Sequence, residues 1–156
     1  MAETEPVLVV GYGRAEAGDH ALAIAAGIAP GLGARLRVVH VVTADDYPDD
    51  PDSETYEDEG RRRLRAGHQH VEDVLAATPE GRGGRLRWTQ EVRHGDPVTV
   101  LIRAAEDRDT LMIVVGTRGE GATATLSRLL EPSVSHGLIR HQHRPVLVVP
   151  PPDEHR

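Results

Sequence analysis

The 156-residue chain contains no cysteine, no phenylalanine and a single tryptophan, and it also lacks lysine and asparagine. The absence of cysteine excludes disulfides, thiolate nucleophiles and cysteine-ligated zinc or iron–sulfur centres. Aromatic residues make up 3% of the chain, which leaves little material for stacking on the bases of single-stranded nucleic acid. Thiol chemistry and nucleic-acid binding are therefore not expected.

Long hydrophobic runs are also missing. The longest apolar stretches have the length of strands, which is too short to cross a bilayer. The first residues, MAETEPVLVV, lack the charged and apolar regions of a secretory signal. We expect a cytoplasmic protein without membrane contact, and a chain of this length suffices for one domain with its own core.

Negative charge is concentrated in one stretch. The chain has a net charge of -7, and residues 45–59, DDYPDDPDSETYEDE, contain nine acids and no base. Such a composition predicts a solvated, mobile acidic loop over residues 43–56. The arginines of residues 61–65 follow directly, and we expect them to pair with these acids on a helix that begins within the acidic stretch and ends near Thr78.

Apolar runs alternate with helix-periodic segments along the whole chain. The helical segments open at Gly18, within the acidic stretch, at residues 95–97 and at residues 132–133. The predicted strands are residues 7–10, 36–42, 86–92, 111–115 and 146–149. This β-α-β-α-β-α-β-α-β order predicts an α/β domain, with a parallel sheet between helices and right-handed crossovers.

Four blocks of the chain resemble, in the same order, the universal stress protein family. They are the first strand with its helix, and residues 35–42, 94–116 and 133–150. The resemblance implies one domain over residues 7–150, flanked by tails at 1–6 and 151–156. It also implies a Rossmann-like, adenine nucleotide alpha hydrolase-like fold with an open five-stranded sheet of order 3-2-1-4-5. Strands one and four are then neighbours whose chains diverge, and α/β sheets bind ligands in such a crevice.

ATP-binding members of that family carry G-x-x-G, nine further residues and Gly-Ser or Gly-Thr, together with an aspartate after the first strand. Here GTRG at residues 116–119 resembles the first half. Twelve residues, 120–131, then form an inserted loop before Pro132-Ser133, and Tyr12 stands in place of the aspartate. The resemblance implies a candidate nucleotide-binding set of Gly11, Tyr12, Val41, Gly116, Thr117, Arg118, Gly119, Ser133, Val134 and Ser135.

Several of these departures oppose phosphate binding. A helix N-terminus binds phosphate through backbone N–H groups, and Pro132 has none to donate. Glu120 and Glu131 add negative charge, although a bridging Mg²⁺ would reverse their effect. We expect a binding and regulatory protein of the stress response without tight ATP binding, and with at most weak ATP hydrolysis.

Two alternatives remain open. One is an ATP-binding switch, loaded with Mg²⁺, that uses Gly116 to Gly119 and Ser133. The other is a hydrolase in the same crevice, built on Ser133 and His136, although the chain has no G-x-S-x-G elbow.

Two pairs of histidines suggest a metal site only at first sight. His68 and His70, like His141 and His143, are two residues apart, so neither pair would share a helix face to chelate a metal. His40 is expected to be a core histidine.

The resemblance implies a homodimer through the edge strand Val146, Leu147, Val148 and Val149. An exposed apolar edge favours pairing with another chain.

Overall fold

The computed structural model describes residues 4–13, 16–42, 55–117 and 134–153. Within these ranges, the strands are β1 (Val7–Tyr12), β2 (Arg35–Val42), β3 (Trp88–His94), β4 (Thr110–Gly116) and β5 (Val146–Val149). The helices are α1 (Glu16–Ile28), α2 (Thr55–Ala77), α3 (Pro79–Arg82), α4 (Pro97–Ala104) and α5 (Val134–His141), and a 3-10 turn (Ala29–Leu32) follows α1. All strand pairs are parallel, in the order β3-β2-β1-β4-β5, so the predicted α/β class and strand order are confirmed.

The central strand β1 is buried on both faces, as its unbroken apolar run indicates. Leu8, Val10 and Tyr12 point into a core formed with α1 and α2. Val7 and Val9, on the alternate positions, point into a second core formed with α4 and α5. The sheet therefore separates two helical layers, and the direction in which a β1 side chain points decides which layer it contacts.

Residues that typically end or begin helices do so in this structure. Gly33 adopts a left-handed conformation with φ of 62° and ends the 3-10 turn that contains Pro30. Asp96 caps α4, because its side chain accepts a hydrogen bond from the backbone N–H of Thr99. Thr78 caps the single-turn helix α3 in the same way, at a position where the sequence predicted only a turn.

The predicted bounds of the third strand were wrong. Strand β3 occupies Trp88–His94 instead of residues 86–92, because it pairs with β2 from Leu36 onward and follows β2 to its last residue, Val42. Helix α2 begins at Thr55, so the last two positions of the predicted acidic loop are helical, while residues 43–54 lie outside the described residues. The inserted loop 120–131 also lies outside them.

Helix α2 is buried on one stripe only. Gly67, Val71 and Leu75 are buried at intervals of four residues, whereas residues 61–66 are all exposed. None of the helices in the described part of the chain combines the length and apolar character that a bilayer-spanning segment requires.

Candidate functional site

The crevice predicted between β1 and β4 is formed by the carboxyl ends of these two strands. Gly11 of β1 is paired with Val115 of β4. Beyond this pair, β1 leads to α1 on one face of the sheet, whereas β4 precedes α5 on the other face. We call the gap beyond Gly11 and Val115 the crevice, and it is the switch point at which α/β sheets bind ligands.

Gly11 lies on the α4 side of the crevice. A Cβ atom at this position would come within 2.7 Å of Leu101 Cδ1 and 3.0 Å of Val115 Cγ1, so the strand end is closely covered by its neighbours. Val41 of β2 is half-buried and packs against the same core. The structure thus brings Gly11 and Val41 to one face.

Tyr12 points to the opposite face. Its side chain is buried, with 3% exposure, and its hydroxyl donates a hydrogen bond to Asp19 Oδ1 over 2.8 Å. The ring meets that of His40 edge-on, with centroids 5.9 Å apart and planes at 79°. The phenol therefore belongs to the α1 and α2 layer, and His40 is a buried strand histidine, at 8% exposure.

Asp19, on the second turn of α1, is a residue that the sequence reasoning missed. Besides the hydroxyl of Tyr12, its carboxylate accepts a hydrogen bond from His70 Nε2 on α2, 2.9 Å from Oδ2. The side chain of Asp19 is 33% exposed and that of His70 is 53% exposed. Asp19 therefore links β1, α1 and α2 at this end of the sheet.

The other wall of the crevice begins at the end of β4. Gly116 is paired with Val149 of β5, and the Thr117 N–H donates to the Val149 carbonyl over 2.9 Å. Both Gly116 and Thr117 are half-buried. Arg118, Gly119 and Ser133 lie outside the described residues.

Helix α5 opens with two of the candidate residues. Val134 and Ser135 occupy its first turn and are half-buried. Val134 packs against the core formed with α4 and α5. The structure thus brings Gly11, Val41 and Val134 to one helical layer, while Tyr12 lies in the other.

The rings of His68 and His70 contact different neighbours. The ring of His68 lies against Trp88 of β3, with centroids 5.9 Å apart, whereas His70 contacts Asp19. The two rings thus dock opposite flanks of α2, as the two-residue spacing predicts. In the described ranges, no group of three or more histidine, aspartate or glutamate side chains is arranged to hold a metal ion.

Comparison with known sequences gives a consistent result. The model of the universal stress protein family matches residues 6–150. A universal stress protein of Mycobacterium tuberculosis is 41% identical over 87 residues, which are 53% of this chain but only 25% of that longer relative. A universal stress protein of Thermus aquaticus is 30% identical over 120 residues, covering 76% of this chain and 82% of the relative.

Solved structures share the architecture. A universal stress protein in complex with cAMP superposes with a TM-score of 0.65 at 21% identity, covering 96% of this chain and 100% of the other. The universal stress protein of Archaeoglobus fulgidus in complex with dAMP gives a TM-score of 0.60 at 17% identity, covering 94% and 98%. These identities show a common fold, and the family match spans both walls of the crevice. The chain belongs to the universal stress protein family.

Proposed function

We propose that this chain is a homodimeric universal stress protein that acts by binding and regulation, and that its crevice does not hold ATP tightly. The observation that carries the proposal is the hydrogen bond between Tyr12 and Asp19. Tyr12 stands where ATP-binding relatives are expected to have a nucleotide-contacting aspartate, and its hydroxyl is turned away from the Gly11 side of the sheet.

The position of Tyr12 is costly to change. Turning the ring toward the crevice would break the 2.8 Å hydrogen bond to Asp19 and remove a buried aromatic ring from the core. A buried polar group that loses its partner costs about 1–3 kcal/mol. A ligand would have to offset that amount before it gained a contact from this residue.

The sequence on the phosphate side supports the same conclusion. Pro132 precedes α5 and offers no N–H to a phosphate. Glu120 and Glu131 are the first and last residues of the inserted loop, and two carboxylates near a triphosphate would each cost on the order of 1 kcal/mol in a partly solvated crevice. These three residues lie outside the described ranges.

A second candidate function is binding of a nucleoside monophosphate as a switch. Relatives of the same fold have been solved with cAMP and with dAMP. Neither ligand carries a γ-phosphate, so repulsion by Glu131 weighs less against them than against ATP. Gly11 and Val41 would line the base side, and Gly116 and Thr117 would begin the phosphate side.

The third possibility, a hydrolase in the same crevice, gains no support from the geometry. Of its two candidate residues, His136 is exposed on α5 and Ser133 lies outside the described residues. Binding therefore remains the better supported function.

The homodimer is proposed from the two edges of the sheet. At one edge, β5 presents Val146, Leu147 and Val148, which are all half-buried. At the other edge, β3 carries Glu91 and Arg93, and charged side chains discourage pairing between strand edges. Pairing through β5 would give an isologous contact around a two-fold axis.

Thermal unfolding in the presence of nucleotides tests the proposal. Millimolar Mg-ATP should move the melting temperature by no more than Mg-tripolyphosphate, the polyanion control, and cAMP and dAMP are measured in parallel. A ligand at 100 times its dissociation constant stabilises by about 2.7 kcal/mol, which corresponds to roughly 5–10 °C for a domain of this size. A shift of that size with Mg-ATP would refute the proposal, and one with only cAMP or dAMP would establish the second candidate.

A further inference from the structure

The two walls of the crevice belong to a closed ring of contacts that includes the edge strand β5. On one side, the β1 end is held to α1 by the hydrogen bond from Tyr12 to Asp19. On the other side, Thr117 at the end of β4 donates to Val149 of β5. The β1–β4 ladder, which pairs Gly11 with Val115, joins these two sides.

The contact that closes the ring is made by His20. Its Nδ1 atom lies 2.9 Å from the carbonyl oxygen of Pro150, the residue directly after β5. A carbonyl oxygen only accepts hydrogen bonds, so Nδ1 carries the proton and donates. The end of β5 is therefore held from two sides, by Thr117 through Val149 and by His20 through Pro150.

Asp19 and His20 are neighbours on α1 but point in different directions. Successive residues of an α-helix are rotated by about 100°, which lets Asp19 face β1 and α2 while His20 faces the end of β5. Helix α1 is packed on the sheet through buried residues such as Ala21, Leu22 and Ala25. The first turns of α1 can therefore pass a displacement from one contact to the other as one rigid unit.

We propose that His20 is a positioning residue that couples the end of β1 to the β5 edge. The Tyr12–Asp19 contact at the end of β1 sets how firmly the end of β5 is held. By linkage, pairing of β5 with a second chain stabilises the Tyr12–Asp19 contact to the same degree that this contact stabilises the pairing. The functional consequence rests on the proposed homodimer, whereas the ring of contacts does not.

Amide hydrogen exchange on four proteins tests the coupling: the wild type, Tyr12→Phe, His20→Ala and the double variant. Tyr12→Phe keeps the aromatic ring and removes only the hydroxyl. It should speed exchange at Val146 to Val149 about five-fold or more, the lower end of typical coupling between sites. In the His20→Ala background the same change should have no further effect on β5, since the ring of contacts is already broken at the His20–Pro150 hydrogen bond.

Two further variants separate coupling from simple loss of packing. His20→Gln retains a side-chain N–H donor and should restore the response of β5 to Tyr12→Phe. His141→Ala, at an exposed position at the end of α5, should leave exchange at β5 unchanged. An unaltered β5 in Tyr12→Phe, or equal effects of Tyr12→Phe with and without His20, would overturn the coupling.

The oligomeric state of the same proteins tests the functional consequence. If the wild type is dimeric, Tyr12→Phe and His20→Ala should each raise the dimer dissociation constant about five-fold or more, measured by analytical ultracentrifugation. A dimer that is unaffected by either change would contradict the coupling. A wild type that is monomeric at every concentration would refute the homodimer. The exchange experiment would still decide whether the ring of contacts transmits a change at Tyr12 to β5.

Discussion

Arg37 on β2 donates from Nε to Glu91 Oε1 on β3 over 2.6 Å. Its Nη1 also donates to the carbonyl of Ala104 at the end of α4 and to Asp107 Oδ2, each at 3.0 Å. The side chain is only 19% exposed. One guanidinium therefore joins the outer strand pair of the sheet to the helix that covers Gly11.

Replacing Arg37 with alanine should lower the free energy of unfolding by about 1–3 kcal/mol, because Glu91 and the Ala104 carbonyl lose a charged donor. Arg37→Lys should recover only part of this, since an ammonium group does not reproduce the planar fork. Urea denaturation measures the change. Arg103→Ala, at an exposed position on α4, is the matched control and should stay within about 0.5 kcal/mol of the wild type. An Arg37→Ala protein as stable as this control would show that the contacts contribute little.

The close cover over Gly11 gives a second prediction. Gly11→Ala places a Cβ atom 2.7 Å from Leu101 Cδ1, and such overpacking costs about 1–3 kcal/mol. Gly13→Ala is the control, because nothing lies within 4 Å of a Cβ atom there. Calorimetry should show a lower melting temperature for the first variant only, and adding Leu101→Val should return part of the loss. Equal melting temperatures for the two alanine variants would contradict this prediction.

Much of the fold was predictable from local patterns. The alternation of apolar runs and helical periods indicated every strand, and residues such as Gly33 and Asp96 marked where helices end or begin. The strand order came from the resemblance, because periodicity carries no information about which strands are neighbours. The predicted end of β3 was wrong because its last paired residue depends on the length of β2, which lies elsewhere in the sequence.

The candidate site was less predictable. A tyrosine at position 12 was visible in the sequence, but the partner of its hydroxyl, Asp19, lies seven residues later, and Asp19 in turn contacts His70, 51 residues further on. Neither partner belongs to a recognisable motif. The nearest signal was an acid on α1 beside buried small residues, and that pattern alone does not identify a contact with β1.

The cap of α4 supplies a third prediction. Asp96 Oδ2 accepts hydrogen bonds from both the backbone N–H and the hydroxyl of Thr99, each at 2.9 Å. Asp96→Ala should destabilise the protein by about 0.5–2 kcal/mol. Asp96→Asn keeps an acceptor and should stay close to the wild type in a denaturant titration. If the two variants proved equally unstable, the cause would be the lost charge and the capping interpretation would be wrong.

The β5 edge gives the prediction that bears most directly on function. Val148 is half-buried on this edge strand and packs toward the α5 layer. In a two-fold contact its replacement by arginine would bring like charges together, while the long side chain can reach solvent in a monomer. Val148→Arg should therefore release a folded monomer, seen as a halved mass in light scattering with an unchanged circular dichroism spectrum.

The opposite edge provides the control for this change. Thr89 is exposed on β3, so Thr89→Arg adds the same charge without touching the proposed interface and should leave the dimer intact. Loss of the dimer in both variants would indicate a general effect of positive charge. A monomeric wild type would refute pairing through β5. A Val148→Arg protein that stays dimeric would also refute it, because the two-fold geometry leaves no way to separate the two arginines while the strands remain paired.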